Sequence, residues 1–463
     1  MCKRLFLLAS FILLLVGAPS VFGEPIGVFN FSEDVGTLED PGGIGGTRYI
    51  ATNEYLILAG GSDIWGTADH FHYAYNEVSG NVRFELSPAW DIGGTNDWAK
   101  IETMLRVNLG AGSVAYATAT RRGGNDSPAY TLVGDFAGAQ IRSVENAGMW
   151  GGTEWWGRIP SKIASQRVVS GDYQLVQSLV DYGAGAGWEN LDTRIVPSLP
   201  DQLLLGAAVT SHSNNWLVQA RVGNVAYTQN PDIVGAKTAG APLPEVCGDT
   251  PGFLIRSLRP VTVPGNWGYA GMTDLLDGVI AGTEQGSRIE AFVNLHDSGG
   301  RGEFGDWNGY NDQTFPGIDP YQSPTTDPAG DPFWPDDDDN FATEVLACIY
   351  LTQGLHIIGA NSDDGTILEI GGVEVGRAPE WKGTSNVDFL VIAPATGFYS
   401  LRARSMEGGG GAALELHEVL ASGLRILLGD TARGGSPVYV PEPATIALLG
   451  FGGLAMLRVR RKR

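Results

Sequence analysis

The chain has 463 residues, of which 43% are hydrophobic, and a formal charge of −22 at pH 7. That length is enough for two or three globular domains, and the acidic balance argues against a surface that binds nucleic acid or anionic membranes. Glycine, at 66 residues, runs at about twice its usual ~7% share, and with abundant Asn, Asp and Pro it predicts turns and strands rather than helices.

At the N-terminus, Lys3 and Arg4 precede an apolar run from Leu5 to Val16, and Val21-Phe22-Gly23 offers a cleavage site before Glu24. This is the pattern of a secretory signal peptide over residues 1–23, not of a structural helix. Cys2 lies before the apolar run, so it is not a lipoprotein attachment site.

Residues 24–235 read as many short strands. Phe71, Tyr73 and Tyr75 alternate with His72 and Ala74, Val82, Phe84 and Leu86 repeat the pattern, and Ile101, Thr103, Leu105 and Val107 alternate with Glu102, Met104 and Arg106. Leu205, Ala207 and Val209 do so again. Alternation punctuated by Gly, Asn and Asp predicts half-buried antiparallel strands, and many of them in one domain predict a sandwich or barrel. Three phrases stand in order: Ser62-Asp63-Ile64-Trp65-Gly66-Thr67-Ala68-Asp69 before Phe71-His72-Tyr73, then Asn96-Asp97-Trp98-Ala99-Lys100 running to Met104-Leu105-Arg106, then Gly206 to Ser213. Together they resemble the laminin-G/concanavalin-like sandwiches of large secreted bacterial proteins, with Ile101-Glu102 standing where those relatives carry Ala-Gly. The resemblance implies a jelly-roll fold that often binds glycans.

Trp150, Trp155, Trp156 and Trp188 cluster in this region. They suit the apolar faces of sugar rings, and equally suit a core or a loop anchor, because aromatic side chains dominate burial energetics. His70, His72 and His212 are candidate metal ligands on the same terms as hydrogen-bonded core histidines.

The Pro/Gly/Ala-rich passage 236–252 reads as a linker, and 253–420 as a second domain. Ser287 to Leu295 reads as one strand, and the long polar passage from Asp297 to Asn340 as a functional or disordered loop. From Phe341 onward the order is strand, Thr352-Gln353-Gly354 turn, strand, Ser362-Asp363-Asp364-Gly365, strand, Gly371-Gly372 turn, strand. A Gly397-Phe398-Tyr399 hairpin and a glycine-rich approach from Glu407 to the last strand follow, with 421–439 as a second linker. This order resembles the PA-14 β-barrel, whose hallmark is the Ser-Asp-Asp-Gly block. In the adhesin branch of that family the Asp-Asp pair holds calcium and the calcium holds sugar hydroxyls, which implies Asp363 and Asp364 as metal ligands here. Read from the residues alone, the block is also a turn whose carboxylates accept backbone N–H bonds.

Cys247 and Cys348 are the only cysteines after the signal peptide. An oxidising compartment permits a bridge between them, while the apolar run around Cys348 equally suits a buried free thiol. No CxxC or Cys/His spacing for zinc occurs.

The tail begins with Pro441-Glu442-Pro443, continues as an apolar run from Ala444 to Leu457, and closes with Arg458, Arg460, Arg461, Lys462 and Arg463. The run is shorter than the ~20 residues of a free-standing membrane helix, but basic side chains can snorkel, and the positive-inside rule holds them in the cytoplasm. Residues 440–463 resemble the PEP-CTERM sorting signal of exopolysaccharide-producing Gram-negative bacteria. The resemblance implies an exosortase-type protease as partner, transient residence in the inner membrane through the short C-terminal helix, and a destination at the cell surface or in the extracellular matrix.

The expected architecture is therefore all-β: a jelly-roll/concanavalin-like sandwich and a PA-14-like barrel between a signal peptide and a sorting segment. No GxSxG, HExxH or P-loop motif is present. A non-catalytic, carbohydrate-binding surface or matrix protein with calcium as its cofactor and extracellular polysaccharide as its partner is the first reading. The alternative is a secreted glycan-processing enzyme built on the sandwich, since glycoside hydrolysis needs only two carboxylates brought together in space.

Overall fold

The computed structural model describes residues 26–36, 45–65, 68–92, 96, 98–121, 136–142, 149–155, 160–244, 247–296, 303–304, 310–318 and 339–442. The signal peptide and the tail beyond Glu442 lie outside them. The described chain is nearly all β. Its longest helix there is the eight-residue Tyr269–Leu276.

The described residues divide into two compact units: those within 26–78, 84–163 and 202–227 form the first, and those within 79–83, 164–201 and 228–442 the second. In the first unit a seven-stranded antiparallel sheet runs in the order Phe31–Val35, Phe71–Val78, Leu203–Thr210, Lys100–Arg106, Ala115–Arg121, Phe136–Arg142, Met149–Trp155. A second ladder joins Val82–Ile92, Ser213–Gln229, Glu54–Gly61 and Gly46–Ala51. Ile57, Phe84, Leu86, Ile101, Leu105, Leu205 and Val209 are all fully buried, each contributing roughly 1.5–3 kcal/mol through removal from water.

The alternation seen in the sequence is real, but several strands are covered on both faces. Every residue of Lys100–Arg106 is buried, so its polar positions need partners. Arg106 reaches Asp69 at 2.6 Å with both side chains fully buried, and Lys100 pairs with Asp63, which also meets His212 at 3.2 Å. Glu102 lies between the two cations on the same strand face, and neither of its buried carboxyl oxygens has a hydrogen-bond partner. Burial pushes its pKa up to about 8, with the positive charge of Lys100 only partly opposing that shift.

The second unit is built on two sheets. One runs Lys237–Thr238, Ser385–Ala393, Gly354–Asp363, Ala413–Val419, Asn294–His296, with Arg425–Leu427 added beside Ala413–Val419. The other runs Gly282–Glu290, Phe253–Pro260, Phe341–Leu351, Gly397–Glu407, Thr366–Ile370, Val373–Arg377, with Val438–Tyr439 beside Phe341–Leu351. Phe253, Val345, Ile349, Ile358, Ala360, Leu401 and Leu416 share their common core.

Two sequence expectations change here. Residues 287–295 are not one strand: Gly282–Glu290 and Asn294–His296 belong to different sheets, and the chain passes between sheets at Ala291–Val293. The passages read as linkers are part of the second unit, because Lys237–Thr238 pairs with Ser385–Ala393, Arg425–Leu427 pairs with Ala413–Val419, and Val438–Tyr439 pairs with Phe341–Leu351. In the second unit Tyr173 and Leu175 join Leu355, Ile357, Leu390 and Val419, and the Tyr173 hydroxyl donates to the Val419 carbonyl at 2.9 Å.

Cys247 and Cys348 are bonded, with Cα atoms 6.1 Å apart. Cys348 is fully buried, so the apolar run and the bridge coexist.

Candidate functional site

The Ser362–Gly365 block is where the chain leaves one sheet of the second unit for the other: Gly354–Asp363 ends in the first and Thr366–Ile370 begins in the second. The Asp363–Asp364 peptide bond is cis. Gly365 is required by close approach, since a Cβ there would fall 2.5 Å from the Tyr269 hydroxyl and 2.8 Å from the Glu380 carbonyl.

Neither carboxylate is satisfied by its own turn; their donors come from two other segments. Asp363 Oδ2 accepts the backbone N–H and the hydroxyl of Thr384, at 3.2 and 3.1 Å. Asp364 is buried; its Oδ1 accepts the N–H of Lys382 at 3.2 Å and its Oδ2 the N–H of Gly408 at 3.1 Å. Burial pushes both carboxyls up from the usual aspartate range; at Asp363 the Thr384 hydrogen bonds oppose this and the Asp364 charge adds to it, while at Asp364 the N–H groups of Lys382 and Gly408 oppose it. Burial holds the Lys382 ammonium below its ordinary value, and the two aspartates pull it back. That ammonium donates to the Ser362 and Ser385 carbonyls, which pins the 382–385 loop against the block.

A third carboxylate joins the pair. Glu407 ends the strand Gly397–Glu407 and is 1% exposed. One oxygen from each of Asp363, Asp364 and Glu407 lies within 4.8 Å of the others. The glycine run behind Glu407 turns its backbone toward acids: Gly408 N donates to Asp364, Gly409 N to Glu407 at 2.6 Å, and Gly410 N to Asp339 at 3.0 Å. Gly410 has φ +106, a conformation that other residues rarely adopt. Beside the carboxylates stands Trp381, 54% exposed.

The carboxylate set fits calcium. That ion takes six to eight oxygens at about 2.3–2.6 Å in flexible geometry, so ligand oxygens spaced within 4.8 Å are near enough to share one. Each carboxylate oxygen that accepts one N–H keeps a second lone pair.

The sequence reading named Asp363 and Asp364; the structure brings Glu407 and Trp381, which it did not name, beside them. The glycine run after Glu407 is the sequence signal for the first; a lone tryptophan in a polar loop is a weaker one for the second. Trp188 is half-buried with the Arg83 guanidinium 5.2 Å from its ring centroid. Trp150 and Trp155 lie on the strand Met149–Trp155, and their side chains, like all of Trp156 and Pro443, fall outside the described residues.

In the first unit, Ser32 Oγ meets His72 Nε2 at 2.8 Å and His72 Nδ1 meets Asp34 at 2.6 Å. The order is that of a nucleophilic triad. Thr47 shares the same Nε2 at 3.1 Å, and His72 is 2% exposed, so the group acts as a polar tie between strands.

Residues 440–462 match the family model described as the PEP-CTERM protein-sorting motif. The chain carries a PEP-CTERM sorting motif. The motif marks a protein sorted to the cell surface and implies processing by exosortase. Its Pro441 is buried and its Glu442 exposed. Among the described residues no helix is long and apolar enough to cross a membrane; the apolar run of the motif is not among them. No curated protein matches the chain. Solved structures similar to it include the PA14 domain of the MpAFP antifreeze protein, at 17% identity and TM-score 0.29, covering 43% of this chain and 97% of that one. The PA14 sugar-binding domain from an RTX adhesin matches at 16% identity and TM-score 0.26, covering 39% and 95%. The epithelial adhesin 6 A domain from Candida glabrata, solved in complex with Galβ1-3GlcNAc, matches at 14% identity and TM-score 0.27, covering 43% and 97%.

Proposed function

We propose that this is a non-catalytic, calcium-dependent carbohydrate-binding protein of the bacterial cell surface or exopolysaccharide matrix. The observation that carries this reading is the convergence of Asp363, Asp364 and Glu407 within 4.8 Å beside the exposed Trp381. Bound calcium supplies open coordination positions for sugar hydroxyls. The chain's own residues do the rest. The three carboxylates hold the ion, the N–H groups of Lys382, Thr384 and Gly408 fix the carboxylates, and Trp381 offers an apolar face to a sugar ring. The Ser-Asp-Asp-Gly resemblance to the adhesin branch of the PA-14 family supports the same roles for Asp363 and Asp364.

The sorting motif supports delivery to the surface of a Gram-negative-type cell through a membrane-anchored precursor. An acidic body suits that place, since it stays soluble and supplies oxygen ligands. Incubating the mature protein with a polysaccharide panel, with calcium and with chelator, tests the reading. Calcium-dependent retention without new reducing ends is expected; release of reducing ends makes it an enzyme and overturns the proposal.

A further inference from the structure

The first residues of the sorting motif are built into the folded second unit. Val438–Tyr439 forms a strand on Phe341–Leu351, with Cys348 opposite Tyr439 and Ile349 opposite Val438. Val438 is 5% exposed and belongs to the core. Beyond that strand the docking continues. The Val440 N–H donates to the Thr250 carbonyl at 2.7 Å, and Pro441 is buried. The backbone of 440–442 runs so close to Gly248 that a Cβ there would fall 2.7 Å from the Val440 carbonyl oxygen and 3.3 Å from Glu442 Cγ. The segment that receives the motif, Cys247 to Thr250, is tethered at Cys247 by the disulfide to Cys348, the residue opposite Tyr439. One covalent link thus fixes both sides of the contact.

The apolar run starts at Ala444, four residues beyond Val440, which is at most about 14 Å of extended chain. A protease embedded in the membrane therefore meets Pro441 and Glu442 while they are still seated on the body. With Pro441 buried, the motif is not legible as an extended peptide until 440–442 comes away.

We propose that the folded second unit masks its own sorting motif, so that release of Val440 to Glu442 from the Gly248–Thr250 segment precedes processing. This rests on the reading of the tail as an exosortase substrate. Release requires no unfolding of the body, because the core contact belongs to Val438 and, among the described residues, 440–442 are held by the Val440 backbone hydrogen bond and the Pro441 packing. Local opening of this kind lies at the low end of the stability range of a domain.

The test is a pulse–chase of the full chain in cells that express the protease, following loss of the basic tail. One variant carries a short Gly/Ser spacer between Tyr439 and Val440, which leaves the strand in place and frees the motif. A second is Gly248→Val, which pushes Val440 and Glu442 off the surface. Thermal unfolding of the purified bodies confirms that both variants fold. Both variants are expected to lose the tail about fivefold faster than wild type, the factor that corresponds to roughly one net hydrogen bond. Unchanged or slower processing of the spacer variant overturns the mask, because the protease would then be reading the folded body with the motif on it. Retention of the tail in every variant, the freed one included, overturns the sorting reading and the mask with it.

Discussion

Trp381 covers Gly408 so closely that a Cβ at position 408 would fall 2.4 Å from the indole ring and 3.3 Å from Asp364 Oδ2. The exposed aromatic face and the buried carboxylate are thus held together by the absence of one methyl group. Gly408→Ala is expected to displace the ring or the carboxylate and to weaken calcium-dependent glycan binding at least tenfold. Trp381→Ala separates the two effects: glycan affinity falls by about 1 kcal/mol or more, while a calcium titration without glycan stays unchanged. Equal loss of calcium affinity in Trp381→Ala would show that the indole props the metal site rather than contacting sugar.

Glu102 makes the first unit sensitive to pH. Its folded pKa, about 8, lies above the ordinary 4.5 because burial penalises the charged form. The group therefore contributes stability that is fully present below pH 4.5 and is lost as pH rises toward 8, by about 1.4 kcal/mol per pH unit at most. Glu102→Gln removes this term. The variant is expected to match wild type in thermal midpoint near pH 4 and to exceed it increasingly up to pH 8, with a constant gap above. A gap that does not change with pH would mean that Glu102 is ionised in the folded protein throughout.

The Cys247–Cys348 bridge closes a loop across 101 residues. Loops of that size correspond to about 4–5 kcal/mol of stabilisation in the chain-entropy account, and loss of native bridges costs about 2–5 kcal/mol in practice. Denaturant titrations in oxidising and reducing buffer should differ by that amount for wild type and not at all for Cys247→Ala. A wild-type curve insensitive to reductant would place the bridge outside the stability of the second unit.

Much of this was legible in the sequence. Period-two alternation gave the strands around Phe71, Phe84 and Leu205, and the Ser362–Gly365 block could be read because its chemistry is contiguous. Glu407 and Trp381 could not be placed from the block, because they come from a distant strand end and another loop; Gly408, next to Glu407, donates to Asp364 across 44 residues of chain. Residues 287–295 looked like one strand because apolar alternation does not show where a chain changes sheets. The linkers were misread because Gly and Pro mark turns equally well inside a domain and between domains. Glu102 was visible as a departure from the sandwich proteins that its phrase resembles, but alternation alone cannot reveal that a strand is covered on both faces.

In the proposed function Asp363, Asp364 and Glu407 hold the calcium through which glycan is bound. Calorimetric titration of calcium into the mature protein, in the presence and absence of a polysaccharide retained in the panel, tests it most directly. Wild type is expected to bind calcium with Kd of about 10⁻⁴–10⁻³ M, the range of extracellular modules, and to bind glycan only when calcium is present. Asp364→Asn and Glu407→Gln are each expected to lose both signals while keeping the β-sheet circular dichroism spectrum. Glycan binding that survives chelation, or calcium binding undiminished in Asp364→Asn, would contradict the account and leave the carboxylates as acceptors for the backbone N–H groups of Lys382, Thr384 and Gly408.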